Sequence, residues 1–106
     1  MAIDWFEVTC EEEAIHLSVR PPGQDSWSVD IPWEAIVRVC FKAEDLDASD
    51  GLYVFTDLGE ESVAIPTEAV GGAELFGELV RRGLFDAELA VTASSATIGL
   101  FCWPPD

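Results

Sequence analysis

Few residues in this chain have both the type and the spacing to do chemistry. The single histidine, His16, sits beside Ser18 in an alternating stretch, so general-base catalysis would have to run through it. No residue near it in sequence is placed to orient the imidazole, and adjacency in an alternating run does not make a dyad. His16 therefore reads as a surface residue, and the chain as a non-enzyme. The segment Glu44-Asp45-Leu46-Asp47-Ala48-Ser49-Asp50-Gly51 offers carboxylates at short spacing, which is calcium chemistry. Setting Asp45 and Asp47 at the first and third positions of an EF-hand loop puts Asp50 where glycine is required and Thr56 where a bidentate glutamate belongs. A solvated hairpin loop is the reading that remains, with an irregular site from Glu44, Asp45, Asp47 and Asp50 as its alternative; no cofactor is expected.

Cys10, Cys40 and Cys102 are odd in number, far apart and without a Cys-x-x-Cys pair. That pattern suits neither a disulfide framework nor zinc, and predicts three reduced thiols. Arg38 and Lys42 flank Cys40 on one strand face and would favour its thiolate somewhat. The start, Met-Ala-Ile-Asp-Trp-Phe-Glu, has no basic region or long apolar run, so neither a leader nor a membrane span is expected and the localisation reads as cytoplasmic.

The elements that must position these residues follow from periodicity. Phe6, Val8 and Cys10 alternate with polar residues in a first strand; Ile15, Leu17 and Val19 do so in a second, after a Glu11-Glu12-Glu13 turn. Trp27, Val29 and Ile31 mark a third strand ending at Pro32, and Trp33 to Ile36 a tight turn. Val37, Val39 and Phe41 mark a fourth strand; Leu52 to Thr56 is apolar on both faces and so central or doubly covered; Ser62 to Ile65 is a short sixth. Beyond Pro66 the spacing of Ala69, Ala73, Phe76 and Val80, with Leu75 and Leu79 beside them, predicts a helix over about 68–83 that Thr67 can cap and Arg81-Arg82-Gly83 ends. A further helical turn or two after Asp86 and an extended segment from Thr97 to Trp103 complete the tail, with Pro104-Pro105-Asp106 fraying. The 106 residues thus read as one α+β domain: a strand meander over 3–66, the helix, and a tail over 84–106.

This order of elements resembles a pleckstrin-homology-like domain, in which a helix caps a bent, mostly antiparallel sheet of six to seven strands. Ile31-Pro32-Trp33-Glu34-Ala35-Ile36-Val37-Arg38-Val39 is similar to a stretch common in bacterial versions. The run from Ile31 to Ala43, with Ile65-Pro66-Thr67-Glu68-Ala69 and Arg82-Gly83-Leu84-Phe85, also resembles a group of small uncharacterised bacterial proteins. The resemblance implies a PH-like barrel. It does not bring lipid binding with it, because Glu11-Glu12-Glu13 stands where the phosphoinositide binders carry cations.

Charge sets the partner class. Asp and Glu number 21 against five Lys and Arg, a formal net charge of −16 on a chain that is 49% hydrophobic. Such a surface repels nucleic acid and anionic membranes and attracts basic proteins. Trp5, Trp33 and Trp103 fit the inward phases poorly. Trp5 and Trp33, with Glu44, Asp45, Asp47 and Asp50, are the candidate partner surface, the alternative for the two tryptophans being packing under the helix or tail. The function expected is a protein-interaction module or homo-oligomer. The alternative is an acidic immunity-type inhibitor or nucleic-acid mimic that blocks a basic protein.

Overall fold

The computed structural model describes residues 3–43 and 50–104. The first strand, β1 (Ile3–Cys10), buries Phe6 and Val8 while Trp5, Glu7 and Thr9 face outward, as alternation requires. The triple-glutamate turn closes on a bond from the Glu11 amide to the Ala14 carbonyl (2.9 Å), and β2 (Ala14–Val19) returns antiparallel with Ile15, Leu17 and Val19 inside. β3 (Trp27–Pro32) pairs with β2, but only Ile31 of its three inward-phase residues is buried. Trp27 and Val29 lie on an edge strand beyond the cover of the second sheet and stay exposed.

Pro32 ends β3, and a short 3-10 turn over Trp33–Ala35 sends the chain into a second layer. There β4 (Ile36–Ala43), β5 (Gly51–Thr56) and β6 (Val63–Pro66) form another antiparallel meander, with β5 between its neighbours. The register between β4 and β5 shifts between Ile36 and Arg38. That irregularity overturns the expected phase at Val37, which is 52% exposed, while Ile36, Val39 and Phe41 are buried.

The domain is α+β and mostly antiparallel, but in place of one sheet of six to seven strands the described residues form two sheets of four. Their orders are β3-β2-β1-β7 and β6-β5-β4-β8. The additional strands come after Pro66. β7 (Ala69–Val70) lies parallel to β1, and β8 (Gly99–Trp103) lies antiparallel to β4. The expected helical start near residue 68 is therefore strand, and Thr67 bonds the Asp50 carbonyl through both its amide (3.0 Å) and its hydroxyl (3.1 Å) rather than capping a helix.

Helix α1 (Gly72–Arg81) begins after Gly71, whose φ of 82° belongs to the left-handed region. A Cβ on Gly71 would stand 2.1 Å from the Val8 carbonyl oxygen, so backbone meets backbone where α1 leaves β7. α1 buries Leu75 and Leu79 and stacks Phe76 on Phe41, ring centroids 5.1 Å apart. It ends as expected: Gly83 takes φ 76° and the Leu84 amide returns to the Leu79 carbonyl at 2.9 Å. Asp86 caps α2 (Ala87–Ser95) by accepting from the Leu89 amide at 3.0 Å. Both layers and both helices share one apolar core that includes Leu17, Leu52, Ile65, Leu75, Leu79 and Phe85.

The expectation of three free thiols is corrected at two positions. Cys40 of β4 and Cys102 of β8 lie directly opposite in register, with Cα atoms 4.0 Å apart, and form a disulfide. They are 62 residues apart in sequence, so only the β4–β8 pairing brings them together. Cys10 remains a free thiol, half-buried; burial pushes its pKa up, with the Glu78 carboxylate adding to the effect. Among the described residues, no helix is long and apolar enough to cross a membrane.

Candidate functional site

The β1–β2 turn, the start of the 3-10 turn and the end of α1 converge on a cleft of about 500 Å³. Three exposed carboxylates line it, Glu12 and Glu13 from the turn and Glu34 from the residue after Trp33, with Ala14, Pro32, Trp33 and Arg82 as the remaining wall. Each has a reason to be there. The hairpin must present consecutive glutamates once β1 and β2 bury their own apolar faces, and Pro32 turns Trp33 back toward that hairpin. Trp33 is only 7% exposed, and its indole donates to the Glu11 carbonyl at 2.8 Å. The Trp33 amide also bonds the Glu13 carbonyl at 3.1 Å, so turn and tryptophan are fixed to each other at two points.

Arg82 closes the cleft from the C-terminal end of α1. Its guanidinium carbon lies 4.2 Å from the centre of the Trp33 ring, its Nε donates to a Glu78 oxygen at 2.8 Å, and a terminal nitrogen reaches the Glu12 carbonyl at 3.3 Å. Glu78 also holds Arg81, and the hydrogen bonds from Arg81 and then Arg82 keep its carboxyl below the ordinary value. Arg82 is thus committed to Glu78 and Trp33, leaving Glu12, Glu13 and Glu34 to give the cleft its negative sign. A cationic side chain entering from solvent would meet those carboxylates, with the tryptophan–arginine stack as a firm floor.

The partner surface expected from sequence divides between places. Trp5, 36% exposed, and Asp50 line one shallow cleft of about 220 Å³ with Tyr53, Ala64 and Pro66. Trp33 belongs to the acidic cleft instead, largely sealed under Arg82. Glu44, Asp45 and Asp47 lie outside the described residues, as do Pro105 and Asp106. Sequence reasoning took Glu12 and Glu13 for a turn and Arg82 for a helix terminus; the Pro-Trp-Glu triplet after a strand end was the available signal that these pieces could meet. Sequence reasoning also gave Trp27 an inward role, whereas Trp27 is 45% exposed and meets the Phe6 ring in a T-shaped contact with centroids 6.2 Å apart.

His16 stands on the outer face of β2, and its Nδ1 lies 2.6 Å from an Asp30 oxygen on β3. That hydrogen bond, before the field of Asp30, Glu11 and Glu7, raises the imidazole pKa above its ordinary value. On the second sheet a more apolar groove of about 530 Å³ runs between Tyr53, Phe55, Ile98 and Leu100.

Comparison with family models, curated proteins and solved structures finds no match to this chain.

Proposed function

We propose that this chain is a non-catalytic protein-interaction module that takes a basic segment of another protein into the cleft at Glu12, Glu13 and Glu34. The observation that carries the reading is the grouping of three exposed carboxylates around a tryptophan fixed by two hydrogen bonds and covered by Arg82. A net charge of −16 would draw such a partner in and speed encounter, while the cleft would set where it docks. The architecture in view is pleckstrin-homology-like, supported by two three-stranded antiparallel meanders followed by a helix. Lipid binding is no part of it, since the first hairpin turn is acidic.

The same grouping supports a sharper second reading, an acidic inhibitor or nucleic-acid mimic, because carboxylates concentrated beside a tryptophan are what occupying a basic active site requires. Self-association belongs to the proposal too, through the β3 edge, where Trp27 and Val29 are exposed, or the apolar groove on the second sheet. A cytoplasmic address goes with the module if Cys40 and Cys102 are reduced in the cell, so their state there decides it.

The test removes equal charge from two places. Glu12→Gln, Glu13→Gln and Glu34→Gln combined are compared with Glu60→Gln, Glu61→Gln and Glu88→Gln combined, using capture from host lysate followed by calorimetry on the recovered partner. The cleft triple should lose binding and the distant triple keep it, with salt weakening capture by the wild type and by the distant triple alike. Equal loss in the two would assign recognition to bulk charge and end the cleft reading. Loss of the partner's own activity on binding would select the inhibitor.

A further inference from the structure

The first hairpin and the third strand bring one imidazole and two carboxylates together outside the cleft floor. His16 on β2 and Asp30 on β3 are direct cross-strand partners, which fixes their side chains side by side on the outer sheet face. Glu11 reaches them from the β1–β2 turn. Its backbone is held at both ends, the amide by the Ala14 carbonyl and the carbonyl by the Trp33 indole. One donor atom from each of Glu11, His16 and Asp30 lies within 4.8 Å of the other two.

We infer that Glu11, His16 and Asp30 form a binding site for a divalent first-row transition-metal ion of zinc-like character. Ligands about 2.0–2.1 Å from a single ion stand roughly 3.3 Å apart in tetrahedral geometry and at most about 4.2 Å apart across an octahedron. The observed spread needs only modest closure to reach that range, and Glu11 is exposed, with a flexible side chain to supply it. His16 and Asp30 have to separate slightly, from 2.6 Å to roughly 3.3 Å, when a metal replaces the proton they share.

The donor set decides the ion class. An imidazole nitrogen with two carboxylate oxygens favours zinc, cobalt, nickel and copper over calcium and magnesium, which take oxygen almost exclusively. This separates the site from an ordinary cluster of surface acids. Three protein ligands leave the remaining coordination positions to water or to a donor from a docked molecule, since the His16 and Asp30 side chains are both accessible. Glu7, Glu11 and Asp30 all act on the imidazole in the direction that favours positive charge, so the local potential also suits a cation.

Because His16 is the chain's one histidine, the test has an unambiguous reporter. Untagged protein is stripped with chelator, then titrated with zinc while the imidazole nitrogens are followed by NMR, and with cobalt while its visible d–d absorption is followed. One equivalent should bind, shift the His16 nitrogens and give a cobalt band. His16→Gln should abolish the band, and Asp30→Asn and Glu11→Gln should each weaken zinc binding by at least about tenfold, the scale on which even an outer-shell partner acts. Glu60→Gln should change nothing, and melting curves in chelator should show all four variants folded. Zinc that binds without moving the His16 nitrogens, or equally well to His16→Gln, would show diffuse association with the acidic surface and overturn the site. No binding at millimolar metal would overturn it as well.

Discussion

Reducing the Cys40–Cys102 bond should cost this domain a large share of its stability. The bond closes a loop of 62 residues, from β4 through both helices to β8. In the chain-entropy account, opening a loop of that length gives the unfolded chain freedom worth about 4 kcal/mol at 25 °C. A domain of this size is stable by only about 5–15 kcal/mol in total. Little else holds β8 as firmly, since its apolar contribution to the core is the partly buried Phe101 and Trp103. The assay is urea unfolding followed by tryptophan fluorescence, with oxidised protein and protein held in a phosphine reductant run side by side. Reduction changes no side-chain volume, which makes it cleaner than a Cys40→Ala change at a buried position. The midpoint should fall by an amount equivalent to about 4 kcal/mol, and thiol titration in denaturant should find one thiol before reduction, Cys10, and three after. Three thiols before reduction would refute the bond. One thiol with unfolding curves coincident to within about 1 kcal/mol would refute the loop argument.

Trp33→Ala should destabilise by about 3–5 kcal/mol in the same assay, because it empties a core position and orphans the Glu11 carbonyl, whereas Trp27→Ala should cost about 1 kcal/mol or less; similar values for the two would place Trp33 on the surface. Gly71→Ala should cost at least about 2 kcal/mol, through its positive φ and the clash with the Val8 carbonyl, while Gly77→Ala, in open space within α1, should stabilise by about 0.5–1 kcal/mol. The pair fails if the two shift melting in the same direction. NMR titration in chelator should find His16 titrating above the ordinary 6.5, and Asp30→Asn should bring it back down. Since the folded value is the raised one, the contribution of His16 to stability is full below about pH 6.5 and fades as pH climbs through the folded value; an unmoved titration in Asp30→Asn would remove Asp30 as the cause.

Local pattern and long-range register divide what the sequence could say. Phe6 and Val8, then Ile15, Leu17 and Val19, were legible because hairpin neighbours carry the same period of two and bury the same face. The end of α1 was legible because Arg81, Arg82 and Gly83 act through local geometry. Its start was not. Ala69 lies in helical spacing with Ala73 and Phe76, but it and Val70 are claimed by β1, a partner far back in the chain. Val37 was misassigned because a register shift leaves no mark in composition. Cys40 and Cys102 looked unrelated for the same reason: a pairing between remote strands decides their meeting. The site follows suit. Glu12, Glu13, Trp33 and Arg82 were each visible, yet only the turn at Pro32 and the end of α1 make them one surface.

Each sheet is completed by a strand that follows both meanders in the chain, β7 for β1 directly after β6 and β8 for β4 near the C-terminal end. During synthesis, then, a ribosome exposes the second meander, complete at Pro66, well before residues 99–103 supply its fourth strand. Until residues 99–103 emerge, the rim of β4 offers its unpaired amides and carbonyls, beside Phe41, to any neighbouring nascent chain. Mutual repulsion among chains this acidic keeps such half-made molecules apart during that interval. On this account the heavy negative charge acts on the growing chain as well as on the finished domain.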